Sequence, residues 1–409
     1  MTVDSGKLLP IDPRLVRLGT VFTPATPIQN ADLFSGRSEL LLTIADAVNQ
    51  RGMHCILYGE RGVGKTSLAN ILPEVIRATT EDEVAVASTS CDTSDSYATL
   101  MHKLMQEVVT VREMNRAGFG ELPGFLEKPL SDCLSDQPTP SAMRILLQTH
   151  PASWLLIVDE FDRLEDRTSI RLISDTIKTL SDHAVPATIV LVGVADSVEE
   201  LLGEHRSIER CLTQVLMPRM TRDELADIVD RGLAQVDMRM DDPVRWYVPE
   251  VSQGYPHFTH LLARHAARRA LGEGRDLVNR RDLEGAVEDA ITLTERSIRN
   301  SYSAAVYSTN PAALYEPVLL ACALAQTDEL DYFSAQAVRK PLSGIMNRNY
   351  DIPAFARHLD AFCQESRGPV LIKEGQPRRY RYRFAVPLLR AFILLKGVAD
   401  HRITPDELR

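Results

Sequence analysis

Residues 59–66 read GERGVGKT, entered from the apolar run MHCILY and followed by SLANILPEVI. The string fits G-x-x-x-x-G-K-[ST], a phosphate-binding loop set between a buried strand and a helix. Gly59, Gly62 and Gly64 free the backbone to turn successive N–H groups inward, toward phosphate oxygens. The candidate cradle is the whole run, with Glu60, Arg61, Val63 and Ser67 between and after the glycines. A helix starting near Gly64 adds its positive dipole end at the same spot. Lys65 is placed to reach the β- and γ-phosphates and the Thr66 hydroxyl to ligate Mg²⁺, so ATP with Mg²⁺ is the expected ligand. A purely structural glycine turn is the alternative, and the order strand, loop, helix argues against it.

The second informative stretch is ASWLLIVDEFD at 152–162. Leu155 to Val158 read as a fully buried parallel strand that ends in two carboxylates, at the sheet edge where open α/β folds place ligand-facing groups. Asp159 would hold Mg²⁺ through its water shell. Glu160 would orient and deprotonate an attacking water. Asp162 reads as a cap on the following segment. Alone the acids are weak evidence, since a strand end with solvated acids looks the same; behind a phosphate loop they point to nucleotide hydrolysis.

Composition sets the bounds. The chain has 409 residues, 44% hydrophobic and 25% charged, with a formal net charge of −10. That describes a globular protein of two or three domains in which any surface for a polyanion must be local. Six scattered cysteines form no C-x-x-C pair, which argues against a disulfide framework or a zinc site and suits a reducing cytoplasm. The N-terminus lacks the apolar core of a signal peptide, and no run of about 18 apolar residues predicts a membrane span.

In chain order, residues 1–30 carry Pro10, Pro13, Pro24 and Pro27 and read as an extended arm over the first domain. A helix follows within 33–50, with Ser35 as its N-cap. Strand VAVASTS (84–90) leads to a helix over about 96–114, with Val108 and Val111 on its apolar side. The prolines and glycines of 115–141 suggest a mobile insertion. A helix with Ile173, Ile177 and Leu180 and a strand at 187–197 come next, then a charged helical region from about 221 to 297.

This order of phosphate loop, acidic strand, polar-ended strand and helical lid resembles the AAA+ ATPases. Within them it most resembles the replication-initiator branch, the origin-recognition and Cdc-type loaders, together with the related STAND and transposition-regulator ATPases. The resemblance covers about residues 30–395. It implies an α/β P-loop NTPase, a parallel sheet with helices on both faces, followed by a helical lid and a C-terminal winged-helix domain. The expected boundaries are 31–220 for the nucleotide domain, 221–300 for the lid and 301–409 for the winged helix.

The resemblance also assigns residues. The polar position after the fourth strand falls on Asp196, where an acid beside a polyanion implies slow hydrolysis unless an ion or arginine bridges them; Ser197 stands ready to take over. SIERCL (207–212) puts Arg210 at the place of an arginine that reaches a neighbouring subunit's γ-phosphate, with Arg206 as the other candidate. The competing reading pairs Arg210 with Glu204 or Glu209 on the surface. In the lid segment GYPH (254–257), His257 occupies the place of a phosphate-sensing arginine, a departure that leans toward the STAND switches; Arg264 is a substitute. His257, His260 and His265 as a metal set lack a completing ligand.

Beyond residue 310, helical runs at 310–326, 333–345 and 352–366 precede a hairpin expected to turn around Lys373-Glu374-Gly375. The alternation Tyr380-Arg381-Tyr382-Arg383-Phe384 marks its last strand. Arg367, Lys373, Arg378, Arg379, Arg381, Arg383 and Arg390 face the single acid Glu374 across 367–390. Arg378, Arg379, Arg381 and Arg383 are the candidate contacts to duplex DNA phosphates. The alternative is a solvated edge strand guarded against pairing. Two functions are therefore open. One is an ATP-assembled homo-oligomer on DNA. The other is a STAND-type signalling or defence switch whose winged helix binds a separate effector or client protein.

Overall fold

The computed structural model describes residues 12–24, 26–27, 36–80, 83–114, 124–195, 197–202, 206–293, 296–310, 313–328, 331–376, 379–404 and 407. The chain divides into two compact units, Pro27–Pro218 and Met1–Thr26 with Arg219–Arg409.

The first unit is built on five parallel strands, β1 (His54–Gly59), β2 (Val84–Ser90), β3 (Ser153–Asp159), β4 (Ala187–Val194) and β5 (Leu212–Leu216), in the order β2-β3-β4-β1-β5. Runs such as Leu155–Val158, each at most 1% exposed, have no polar face to turn to water and require cover on both sides. The helices Lys65–Thr79, Tyr97–Gln106 and Arg167–Asp182 belong to this unit, the last two begun by Ser96 and Asp166 caps. Trp154 lies in the core, its indole donating to the Leu147 carbonyl at 3.1 Å. Register sets Val194 beside Gly59 and Ser90 beside Asp159, so the phosphate loop and both acids leave one edge of the sheet.

Several local expectations change here. The helix expected to reach residue 114 stops at Gln106, and Val109–Met114 instead pairs antiparallel with Gly124–Pro129. Four successive β-branched residues, Val108 to Val111, favour a strand over another helical turn. The described part of the supposed mobile insertion is ordered. Its Leu130 is buried, and Pro140, behind a Thr139 cap, opens a helix that buries Met143 and Leu147 further on. Ser35 lies outside the described residues; the helix it was expected to cap starts at Ser38 behind Arg37, which adopts φ 64°. Arg37 is 6% exposed and donates to the Pro218 carbonyl at 2.5 Å.

In the second unit the N-terminal segment is helical rather than extended. Asp12 caps helix Pro13–Val21 by accepting from the Arg14 N–H, and Pro13 sits in the first turn, where its missing N–H costs nothing. This helix packs on the lid helices: Arg14 pairs with Asp276 at 2.6 Å, and Phe22, fully buried, meets His260 edge-on at 5.9 Å. The lid comprises helices Arg222–Ala234, Tyr247–Ser252, Pro256–Gly272 and Arg280–Leu293, followed by Arg296–Val306.

The C-terminal part holds helices Tyr315–Leu324, Ala335–Ile345 and Ile352–Phe362, a hairpin of Leu371–Glu374 with Arg381–Phe384, and a closing helix Pro387–Ala399. A third strand, Phe333–Ser334, pairs with the far side of Arg381–Phe384. At two residues it was too short to read from the sequence. Tyr382 and Phe384 point into the core and Arg381 and Arg383 outward, which is the alternation a one-sided sheet requires.

Candidate nucleotide site

The loop geometry follows from its glycines. Gly59, Gly62 and Gly64 take φ of 145°, 89° and 98°, conformations closed to most side chains. A Cβ on Gly59 would stand 2.5 Å from the Met217 carbonyl oxygen, so at this position glycine is required by space as well. Val63, 1% exposed, anchors the loop in the core, while Arg61 faces solvent.

Lys65 is only 7% exposed and folds back on the loop, its ammonium donating to the carbonyls of Gly59 at 2.9 Å and Glu60 at 2.7 Å. Burial pushes its pKa down to about 8, against the attraction of Asp162, Asp159 and Glu60. A buried cation met by neutral carbonyls and nearby acids is a site made for an anion. Asp159, 8% exposed, lies near the side chain of Thr66. Burial raises its carboxyl above the usual value, with Thr66, the Glu160 N–H and Lys65 pulling the other way. Thr66 and Asp159 are thus placed as two groups that would share one Mg²⁺ and its water shell. Among the described residues no group of three or more His, Cys, Asp or Glu could hold a metal without such help from a ligand.

Glu160 follows at the strand end with φ 51° and forms a 2.8 Å ion pair with Arg163. Asp162 does not cap the next segment as the sequence reading had it. Its carboxylate accepts the Val194 N–H at 2.7 Å, tying the ends of β3 and β4 together beside Lys65. Arg163 is unassigned in the sequence and Asp162 is assigned there only as a cap. The signals for them are the second aspartate of the DEFD run and the three-residue spacing from Glu160 to Arg163.

The remaining candidates are placed as follows. Asp196 lies outside the described residues, as does the side chain of Arg206. Arg210 is 70% exposed and pairs with Asp182, rather than with either glutamate considered above. His257 Nδ1 donates to the Pro24 carbonyl at 2.7 Å, so the N-terminal segment holds that ring nitrogen. His260 is buried, and His265 lies 3.4 Å from Asp289; the three histidines have separate surroundings.

The basic cluster of the C-terminal hairpin is smaller than its sequence count. Arg367 donates to the Ala305 and Tyr307 carbonyls, Lys373 pairs with Asp360 at 2.6 Å, and Arg390 reaches Ala323, Ala325 and Asp331. Arg381 pairs with Asp328 at 2.9 Å, and Arg381 and Arg383 both lie over Tyr332. Arg379 is exposed, and Arg378 lies outside the described residues. The neutralising acids come from segments distant in sequence, which a count over 367–390 could not include.

With this geometry in place, comparisons with known proteins can be read against it. Among solved structures, the chain is similar to the ORC2 protein of Aeropyrum pernix, solved in ADPNP–ADP complexes. The two are 14% identical with a TM-score of 0.51, over 93% of this chain and 97% of that one. It is also similar to the Cdc6p protein of Pyrobaculum aerophilum, at 15% identity and a TM-score of 0.46, over 93% and 98% of the two chains. The ORC1 protein of Aeropyrum pernix, solved in complex with DNA, gives 15% identity and 0.46, over 94% and 96%. The first of these matches shows the fold, a parallel-sheet P-loop NTPase. No curated protein matches the sequence. The family model described as "Novel STAND NTPase 1" matches residues 25–302, which span the phosphate loop, the acidic strand and the lid. On that match the chain belongs to the nSTAND1 family of STAND NTPases.

Proposed function

We propose that the protein is an ATP-binding switch that hydrolyses ATP slowly and assembles with copies of itself when ATP is bound. The observation that carries this reading is Lys65, an ammonium buried in a glycine cradle with Thr66 and Asp159 beside it. Lys65 exchanges its carbonyl partners for β- and γ-phosphate oxygens, and Thr66 and Asp159 hold Mg²⁺. The metal, when bound, neutralises phosphate charge. Glu160 orients the attacking water. Asp162 fixes the end of β4, from which Asp196 and Ser197 follow. Arg210 serves the nucleotide of a neighbouring copy, since an exposed surface pair with Asp182 is weak enough to exchange. His257 approaches phosphate only through Nε2, its Nδ1 being engaged at Pro24.

The three C-terminal helices and antiparallel hairpin support a winged-helix reading. Because most of its cations are paired inside the chain, protein is the partner favoured here, an effector or client carried on a separate chain. Duplex DNA is the second reading, favoured by Arg379 and Arg381 on the outer face of the hairpin. Mass measurement with and without ATP tests the assembly, and Glu160→Gln should bind ATP and accumulate the assembled state. A salt-titrated DNA-shift assay separates the partners. Binding that falls steeply with salt and drops when Arg379, Arg381 and Arg383 become Ala supports DNA; no binding at low salt supports protein.

A further inference from the structure

The carboxylate of Glu160 is already engaged in this structure, its Oε2 accepting from the Arg163 guanidinium at 2.8 Å. The turn Phe161–Arg163 enforces the meeting. Glu160 stands in the left-handed region at φ 51°, its N–H donates to Asp159 Oδ1 at 2.7 Å, and the Arg163 N–H returns to the Glu160 carbonyl at 2.9 Å. A glutamate held in that region carries a backbone cost that its surroundings must offset. Arg163 has a second acid near it. Asp92, just past the end of β2, attracts the same guanidinium, and β2 lies against β3 with Ser90 beside Asp159. Ser94 and Lys103 bind Asp92 and hold its pKa down to about 2, so it is ionised at neutral pH. Arg163 is thus paired with one carboxylate, the one at the hydrolytic position, and lies within the field of a second.

We infer that Arg163 is a positioning residue that restrains Glu160 in the ATP-bound protein as in the free one, and that Asp92 draws Arg163 away when Glu160 is released. The inference rests on the reading of Glu160 as the group that orients the attacking water. The guanidinium competes with that water for the Glu160 carboxylate. Both side chains are about half exposed, 49% and 50%, so solvent screening limits the restraint to a factor of about five. It is a brake and not a lock.

Steady-state hydrolysis measured alongside the affinity for a fluorescent ATP analogue tests it. Arg163→Ala raises kcat about two- to five-fold with affinity unchanged, and Arg163→Lys returns toward wild type. Asp92→Asn keeps the turn with Ser94 but removes the alternative acid, and lowers kcat. The double variant E160Q/R163A stays at the rate of E160Q. Hydrolysis in wild type that R163A leaves unchanged or lowers, or a rise with D92N, overturns the inference alone. ATP bound but not hydrolysed by wild type and R163A alike overturns the hydrolytic reading of Glu160 and the inference with it. Thermal melts on each variant separate these outcomes from misfolding.

Discussion

The ammonium of Lys65 lies 2.9 Å from the carbonyl oxygen of Gly59, the residue that opens the loop Lys65 closes. The loop therefore supplies its own lysine with oxygens in advance of any phosphate. Two neutral carbonyls are a poor substitute for a polyanion, and the lowered pKa of Lys65, about 8 against 10.5, measures that deficit. The folded value lies below the unfolded one, so the burial cost is present in full below pH 8 and relieved as pH rises toward 10.5, where the native state has shed the proton. Lys65→Met is expected to stabilise the ligand-free protein at pH 7 by up to about 3 kcal/mol while abolishing ATP binding. Melts with and without ATP check both halves.

Acid should destabilise both units. His54 is fully buried, with Nδ1 accepting the Ile189 N–H at 3.0 Å, and His260 is buried against Phe22; burial pushes each pKa down from 6.5 to about 4. The native state stays neutral while the unfolded chain takes up protons below pH 6.5. Stability is thus fully present above pH 6.5 and lost as pH falls toward 4, by about 3 kcal/mol per histidine at the limit. His54→Asn, which keeps an acceptor for Ile189, flattens this dependence for the sheet-bearing unit. Calorimetric scans between pH 7 and pH 5 give the slopes.

The N-terminal helix is expected to be part of the lid's stability. A Cβ on Gly232 would stand 2.3 Å from the ring of Phe22, which shows how closely the ring lies on helix Arg222–Ala234. Phe22→Ala should cost about 3–5 kcal/mol, the usual loss for a fully buried aromatic ring, and Gly232→Ala a smaller amount through displacement of the ring. Denaturant titration of both variants reads the difference.

What the sequence showed and what it hid have separate physical causes. The strand ending at Gly59, the loop and the strand ending at Asp159 were legible because their signals are local: continuous apolar runs, glycines and acids at fixed spacing. The hairpin after Gln106 was missed because its β-branched run was read with helical spacing. The helix at Pro13 was missed because proline was taken for a breaker where it is a starter. The basic hairpin was overestimated because Asp328, Asp331 and Asp360 reach it through tertiary contact. Asp162 was not recognised as a site residue, since only the fold around β4 brings it the Val194 N–H.

The measurement that bears most directly on this account is ATP uptake by folded protein, read by calorimetry with Mg²⁺ present and again with Thr66→Ala and Lys65→Met. The account predicts one site per chain for the wild type, weakened in Thr66→Ala chiefly when Mg²⁺ is present, and no uptake by Lys65→Met. No heat of binding from folded wild-type protein, or equal binding by Lys65→Met, would contradict it.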